Sequence, residues 1–348
     1  MAELKKSPLT RRDFLRKTAM TTAGLWLGAH LSKAKSFSAN NRLNIGIIGT
    51  ANRAEANISG VQKENIVALC DVDDHYLSAA AQRFPGAKTY NDFRKLLERN
   101  DLDAVVISTA DHTHAVATIA ALQSGRHVYC EKPLAHTVSE SRLVARTAGQ
   151  YKNLATQMGT QIHAGKNYRR VVELIRNGAI GNISECHVWC EKSWGGTGRV
   201  EGSPPVPSYL HWDLWLGPMP ERAYHSEYLP KNRRRWWDFG NGTLGDMGCH
   251  YMDLAYWALD LRHPLTIEAK GPPINPETTP SWLVVRYEYE THASKSPVQI
   301  TWYDGGTQPE LIKEGKILDW KNGVLFVGNK GMLLADYEHH RLLPESDF

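Results

Sequence analysis

Lys132 is the first residue of this sequence whose setting suggests chemistry. It stands between Glu131 and Pro133, and these three residues directly follow His127–Cys130, a short run that is typical of a buried strand. A lysine at the carboxyl end of such a strand, restrained by a proline, can position a ligand or assist proton transfer. The alternative is a solvent-exposed lysine in a loop.

A second segment carries a histidine between two acids. Asp246, His250 and Asp253 are spaced i, i+4 and i+7, so a helix places all three on one face. A histidine can accept an alcohol proton near neutral pH, and a nearby carboxylate can orient it and tune its pKa. The alternative is a histidine and two acids that serve only as caps and core contacts.

A glycine-containing turn precedes both segments. The apolar run Leu43–Ile48 predicts a buried strand, and a helix-compatible stretch continues to Gln62. Between them lies the pattern of a dinucleotide-binding turn, with alanine at the second and third glycine positions (Ala51 and Ala54). Such a turn lets main-chain N–H groups at a helix start hold a pyrophosphate. The candidate cofactor contacts in the turn are Gly49, Thr50, Ala51, Asn52 and Arg53.

An acid follows the second predicted strand. Asp71 comes after Ile66–Cys70 and lies 22 residues beyond Gly49. An acid at this position hydrogen-bonds ribose hydroxyls and disfavours a 2′-phosphate, so the sequence favours NAD over NADP. The alternative is that Asp71 caps the next helix.

Strands and helices alternate through the rest of the first half. We predict helices over 74–84, 91–99, 113–124 and 139–151, and strands over 89–90, 104–108 and 154–158. This alternation predicts an α/β domain with a doubly wound parallel sheet. A polar cluster, Thr109 to His114, follows the 104–108 strand. We expect His114 to start a helix and line the cofactor cleft, and we expect no metal at Asp111 and His112, because no second cluster would complete a ligand shell.

The second half shows a different order of predicted helices and strands. A helix is predicted over 166–176, and strands over 183–194, 265–270, 282–289, 298–302 and 324–327. Strands in succession without helices predict an α+β domain with a largely antiparallel sheet. Arg233–Arg235 is expected to be a solvated loop. The five cysteines show no CxxC spacing, and most of them are expected to be small core residues.

The amino-terminal segment has the features of an export signal peptide. Thr10–Arg16 has the twin-arginine pattern, a mildly apolar run extends to Leu31, and small residues near Ala34 suit a signal peptidase. We therefore expect residues 1–34 to be a twin-arginine signal peptide handled by that export machinery, which gives a periplasmic or otherwise exported protein. The alternative is a disordered basic tail.

Charge argues against a nucleic-acid partner. The formal net charge is +4, but the first 34 residues hold seven basic and two acidic side chains, and the remainder is close to neutral. No basic stripe appears elsewhere. The run Thr18–Leu31 is too short and too polar for stable membrane insertion. The expected domains are a nucleotide-binding domain over 41–158 and a substrate or oligomerisation domain over 159–348.

Together these motifs resemble the glucose-fructose oxidoreductase / inositol dehydrogenase / MocA family from about Leu43 onward. The resemblance rests on the turn at Gly49, on Asp71, on the 109–114 and 131–133 segments, and on the Asp246–His250 spacing. It implies that Lys132 assists proton transfer and holds substrate and nicotinamide. It also implies that His250 is the general base and that Asp246 binds and orients substrate, with Asp253 structural. Thr109, His114, Glu131 and Lys132 would line the cofactor cleft.

The resemblance implies hydride transfer between a sugar or polyol carbon and a tightly held NAD. Some relatives use NAD transiently to cleave glycosides, so an NAD-dependent glycosidase is a second reading, and a non-catalytic sugar or nucleotide binder is a third. Four tryptophans are typical of one bacterial branch and are expected mainly to pack: Trp212, Trp215, Trp236 and Trp237. Chains of that branch continue beyond Gly331–Leu334, so we expect the last sheet or dimer elements to be missing. A homo-oligomer is compatible with the family.

Overall fold

The computed structural model describes residues 42–196, 198–290 and 297–348. The signal peptide expected over 1–34 lies outside the described residues. Among those that are described, no helix is both long and apolar enough to cross a membrane.

The first half of the chain forms six parallel strands with helices between them. The strands are β1 (Asn44–Ile48), β2 (Asn65–Cys70), β3 (Lys88–Tyr90), β4 (Ala104–Ile107), β5 (His127–Glu131) and β6 (Thr156–Gly159). The helices are α1 (Ala54–Val61), α2 (Asp74–Arg83), α3 (Phe93–Leu97), α4 (Asp111–Gln123) and α5 (Val138–Gln150). The predicted doubly wound parallel sheet is confirmed.

The strand order creates a crevice. The sheet runs β3-β2-β1-β4-β5-β6, so the chain adds β2 and β3 on one side of β1 and then returns to add β4, parallel to β1, on the other side. The loops that leave these two strands diverge to opposite faces of the sheet, and ligands of open α/β sheets bind where this happens. Burial on both faces explains why β1 and β4 are nearly continuous apolar runs.

The second half builds a seven-stranded sheet. Its strands are β7 (Ile183–Cys190), β8 (Thr266–Lys270), β9 (Val284–Tyr289), β10 (Val298–Tyr303), β11 (Asn322–Gly328), β12 (Gly331–Ala335) and β13 (His340–Leu343). Their order is β13-β12-β11-β7-β10-β9-β8, and only β7 and β10 pair in parallel. The helices are α6 (Lys166–Arg176), α7 (Trp212–Leu216), α8 (Gly242–Leu259) and α9 (Glu310–Lys313). The expected largely antiparallel sheet is confirmed.

Helix α8 has two distinct faces. Met247, Tyr251 and Leu254 belong to the core that also contains Val188 and Trp302 of the sheet. Asp246, His250 and Asp253 lie on a different face, as their spacing predicts. Packing of the apolar face against the sheet therefore fixes the direction in which the polar face points.

Several element boundaries differ from the sequence predictions. The strand expected over 183–194 ends at Cys190, because the chain then leaves the sheet toward α8. Helix α4 begins at Asp111 rather than at Thr113, so Asp111 and His112 belong to its first turn. Helix α3 covers only Phe93–Leu97 of the predicted 91–99, and α7 and β13 were not predicted.

The tryptophan-rich segment forms its own small core. Trp215 and Trp236 are buried with Tyr228 and Phe239. The ring of Trp215 packs edge to face against Phe239, and the ring of Trp236 packs edge to face against Tyr228. Trp212 stacks on Trp215 with ring centroids 4.7 Å apart. Packing as the main role of these tryptophans is confirmed for the buried ones, whereas the side chain of Trp237 is exposed.

Candidate functional site

The turn after β1 packs closely against the segment that follows β4. Gly49 has a φ of +85°, and a Cβ added to it would lie 2.7 Å from the carbonyl oxygen of Ser108, which follows β4. Asn52 also has a positive φ, of 58°, a conformation that asparagine tolerates better than most residues. Helix α1 begins two residues later at Ala54, whose N–H donates back to the carbonyl oxygen of Ala51 at 3.2 Å. The turn fits a dinucleotide pyrophosphate.

Asp71, at the end of β2, organises the same turn. Its Oδ2 accepts hydrogen bonds from the main-chain N–H and the hydroxyl of Thr50, at 2.8 and 2.9 Å. Its Oδ1 accepts one from the N–H of Asp73 at 3.0 Å. Burial raises the pKa of Asp71, while these three donors oppose the rise. The helix that follows is capped by Asp73 instead, so the capping alternative for Asp71 is wrong.

Glu131 joins the turn to the end of β5. It is buried, and its Oε1 accepts hydrogen bonds from Arg53 Nε at 3.0 Å and from Asn57 Nδ2 at 2.9 Å. Asn57 also donates to the hydroxyl of Ser108 at 2.9 Å. The strand ends of β1, β4 and β5 are thus tied together. The sequence prediction included Glu131 and Arg53 but missed Asn57, which is a helix residue with no motif of its own.

His114, in the polar cluster after β4, connects two segments that follow neighbouring strands. His114 is buried, and its ring nitrogens lie 2.7 Å from the carbonyl oxygen of Pro133 and 3.1 Å from that of Thr109. The side chain therefore holds the segment after β4 against the segment that carries Lys132. His114 was expected to start a helix and line the cleft; it lies in the first turn of α4, and its ring is buried.

Asp111 and His112 contact the second half of the chain. Asp111 is buried and pairs with Arg233, whose Nη2 lies 2.9 Å from its Oδ1. His112 Nε2 donates to the carbonyl oxygen of Trp215 at 2.8 Å. Burial lowers the pKa of His112 to about 4, so its imidazole is neutral at pH 7. Both side chains serve as structural ties between the two halves.

Lys132 and Asp246 meet at the centre of the site, although they are 114 residues apart in sequence. The ammonium of Lys132 donates to Oδ1 and to the main-chain oxygen of Asp246, each at 2.7 Å. Both side chains are largely buried. The end of β5 in the parallel sheet and helix α8 of the second domain are joined at this point.

Asp246 has two further partners that the sequence did not reveal. Arg234 Nε lies 3.0 Å from its Oδ1 as an ion pair, and Trp194 Nε1 donates to its Oδ2 at 2.8 Å. Burial alone would raise the pKa of Asp246, but the charges of Arg234 and Lys132 outweigh that effect and hold its pKa well below 3.8. The expectation that Arg233–Arg235 is a solvated loop is wrong, because Arg233 and Arg234 pair with two buried carboxylates.

His250 lies one helical turn beyond Asp246. It is 6% exposed, and its Nδ1 has no hydrogen-bond partner within the described part of the chain. Burial and the nearby Lys132 lower the pKa of His250 to about 4, so the imidazole is neutral and able to accept a proton at pH 7. The carboxylate of Asp246 acts on this ring only electrostatically, since its hydrogen bonds go to Lys132 and Trp194.

Asp253 lies outside this cluster. Its Oδ2 is 2.8 Å from Nδ1 of His163, a half-exposed ring that stacks on Trp257. The expectation of a structural role for Asp253 agrees with these contacts. Of the three aligned polar residues on α8, the structure brings Asp246 and His250 together with Lys132.

Two family models match the chain. The model described as "Oxidoreductase family, NAD-binding Rossmann fold" matches residues 43–159. The model described as "Oxidoreductase family, C-terminal alpha/beta domain" matches residues 177–299. The first domain is therefore an NAD-binding Rossmann domain, and together the matches cover both halves of the described chain.

Individual relatives align with only about half of this chain, at about 30% identity. The inositol 2-dehydrogenase of Salmonella typhimurium is 30% identical over 170 residues, which cover 48% of this chain and 47% of the relative. A glycosyl hydrolase family 109 protein of Solibacter usitatus is 30% identical over 194 residues, 50% of this chain and 44% of the relative. These alignments span about half the length of the curated relatives.

A solved structure shows the same fold. The crystal structure of myo-inositol 2-dehydrogenase from Lactobacillus plantarum superimposes with a TM-score of 0.58 at 17% identity. The match covers 85% of this chain and 76% of that chain. At this level of identity the likeness concerns the fold alone.

The glycine turn yields a paired test. Gly49→Ala places a Cβ against Ser108 and forces alanine into a positive φ, so we expect a loss of about 1–3 kcal/mol in unfolding free energy and weaker NAD binding. Gly60→Ala is the matched control, because nothing lies within 4 Å of its added Cβ. This helix substitution should be neutral or stabilising by up to about 1 kcal/mol. Urea denaturation measures the unfolding free energy of each variant, and titration measures its affinity for NAD. Equal stability and equal NAD affinity of the two variants would contradict the close approach at Gly49.

Proposed function

Since the chain belongs to the glucose-fructose oxidoreductase / inositol dehydrogenase / MocA oxidoreductase family, we propose that it transfers a hydride between NAD and a sugar or polyol carbon. The carbon is one that bears a hydroxyl group. The observation that carries this proposal is the convergence of Lys132, Asp246 and neutral His250 at the carboxyl end of the NAD-binding sheet.

The residues around the turn fit the cofactor. The close approach at Gly49 leaves no room for a side chain. Within the described residues the main-chain N–H groups of residues 51–53 donate to no protein group, so they can hold the pyrophosphate. Asp71, already aligned by Thr50, has further lone pairs for ribose hydroxyls, and a carboxylate there disfavours the 2′-phosphate of NADP. When bound, the nicotinamide supplies the acceptor or donor of the hydride.

The side chains then divide the proton chemistry. In the oxidative direction the neutral imidazole of His250 accepts the hydroxyl proton as the carbon loses its hydride. The ammonium of Lys132 donates a hydrogen bond to the same oxygen and stabilises the charge that develops on it. Asp246 keeps Lys132 in place through two contacts of 2.7 Å. Arg234 and Trp194 keep Asp246 ionised and oriented.

A redox-neutral glycosidase is the second candidate function. It is favoured by the 30% identity to a glycosyl hydrolase family 109 protein, whose aligned region includes about half of this chain. In that reaction a sugar carbon is oxidised and later re-reduced, so NAD is regenerated. Release of sugar from a chromogenic glycoside without net NADH would favour this candidate, whereas NADH formation from a free sugar favours the dehydrogenase.

Two substitutions test the assigned roles. Lys132→Met and His250→Ala should each lower kcat by at least about a hundredfold, because one removes the group that stabilises the oxygen and the other removes the base. NAD binding, followed by fluorescence titration, should persist in both. Lys316→Met is the control, an exposed lysine that pairs with Glu314 on the surface, and it should keep normal kcat.

The pH profile of the unaltered chain completes this test. A base with a pKa of about 4 predicts that kcat/KM holds its plateau down to about pH 5 and falls below it. An ordinary histidine would place the acidic limb near 6.5. Near-normal turnover by both active-site variants, or an acidic limb near 6.5 that persists in His250→Ala, would contradict the assignment.

Export is part of the proposal. The twin-arginine pattern at Thr10–Arg16 supports transport across the membrane, and free nicotinamide cofactor is expected to be scarce there. The protein should then retain its NAD and recycle it with a second substrate. Mass spectrometry of small molecules released by denaturing protein purified from the periplasm checks this; active but cofactor-free protein, or protein confined to the cytosol, would contradict it.

A further inference from the structure

The carboxylates around the site differ in the number of cationic side chains that pair with each of them. Glu131 is matched by Arg53 at 3.0 Å, and Asp111 by Arg233 at 2.9 Å. Asp246, in contrast, has two cations on a single oxygen, since Lys132 and Arg234 lie 2.7 and 3.0 Å from Oδ1. One carboxylate cannot neutralise both of them, so positive charge remains in the cleft.

A third cation stands beside this group. Lys192 lies 3.6 Å, Nζ to Sδ, from Met247, the residue after Asp246. It also lies over the ring of Trp194, 5.8 Å from the centroid. Within the described residues Lys192 takes part in no ion pair. Its main-chain oxygen is held by the N–H of Gly305 at 3.1 Å, so the lysine is anchored at the rim of the cleft.

Two of these cations lie over the ring of Trp194. The guanidinium of Arg234 lies 5.2 Å from the centroid of the ring that Lys192 also covers. The indole N–H donates to Asp246, and the main-chain N–H of Trp194 donates to Thr243 at 2.9 Å, which fixes the ring. Arg234 and Lys192 therefore both lie against one aromatic ring, which is hydrogen-bonded to Asp246.

We propose that the substrate is an anionic sugar, whose carboxylate or phosphate group binds between Arg234 and Lys192. This inference rests on the proposed hydride transfer, because it names the substrate class of that same site. A neutral polyol would leave Lys132, Arg234 and Lys192 opposed by the single carboxylate of Asp246, and such a positive excess is unfavourable in a partly buried cleft. An oxyanion supplies the missing charge.

The chemistry of Arg234 suits this role. Its Nε contacts Asp246, and Nη1 donates to the carbonyl oxygen of Lys231 at 3.3 Å. In the described part of the chain Nη2 makes no hydrogen bond to protein. A guanidinium presents its donors in a plane that matches two oxygens of a carboxylate or phosphate. The exposed side chain of Lys192 can approach the same group as a point charge.

Binding measurements separate this inference from the reaction itself. Calorimetry on the NAD-loaded full chain would compare matched pairs: glucose with glucuronate and glucose 6-phosphate, and galactose with galacturonate. We expect at least one anion to bind about tenfold or more tightly than its neutral parent, with an affinity that falls as salt rises. A preference for the uronates identifies a carboxylate, and a preference for the phosphate ester identifies a phosphate.

Variants show which residues cause the preference. Arg234→Met and Lys192→Met should each reduce the ratio of anion to neutral affinity by about tenfold, and Arg234→Lys should restore part of it. Lys192→Met changes an exposed side chain without touching Asp246, so its folding is not at risk. Lys316→Met, the distant control, should leave the ratio unchanged.

The outcomes distinguish the two proposals. If no anion in the panel binds more tightly than its parent, or if Arg234→Met lowers both affinities equally, the anionic substrate is ruled out and Arg234 only supports Asp246. NADH formation measured in parallel with the same sugars tests the reaction. Anion preference without any turnover would contradict the proposed dehydrogenase instead.

Discussion

The buried ion pair between Lys132 and Asp246 is the contact on which the arrangement of the site depends. It connects the last residues of β5 to the helix that covers the second sheet. Taking two such charges out of water costs several kcal/mol per ion, so a pair of this kind contributes little net stability. Its value is positional: losing one partner would leave the other charged and buried, and this penalty holds both side chains in one geometry.

The surrounding charges set the protonation state of each group. Arg234 and Lys132 keep Asp246 anionic despite its burial, and Lys132 together with burial keeps His250 neutral. The same neighbouring charges therefore keep Asp246 ionised, so that it can anchor Lys132, and keep His250 neutral, so that it can act as a base one helical turn further on. The cations that accomplish this also leave the cleft with a positive excess, which is the basis for expecting an anionic substrate.

Local patterns predicted the parts of this site that depend on local structure. The apolar run before Gly49, the acid after β2 and the i, i+4 spacing in α8 are short-range signals, and the structure forms each corresponding element. Arg234 and Trp194 were missed because their roles come from contacts with residues far away in sequence. The run of arginines resembles a solvated loop, and only the fold shows that it passes over two buried carboxylates. Trp194 was placed at the end of the strand predicted over 183–194, whereas β7 ends at Cys190 and the chain then turns to pack against Thr243.

The most direct test of the central claim is a double-mutant cycle on Lys132 and Asp246, with unfolding free energies taken from urea denaturation at neutral pH. If the two side chains form the buried pair, Lys132→Met and Asp246→Asn should each destabilise the chain. The double variant should be more stable than the sum of the single effects predicts, by about 1–3 kcal/mol of coupling. Effects that add within about 0.5 kcal/mol would show that the ammonium and the carboxylate do not meet, and the site described here would not exist.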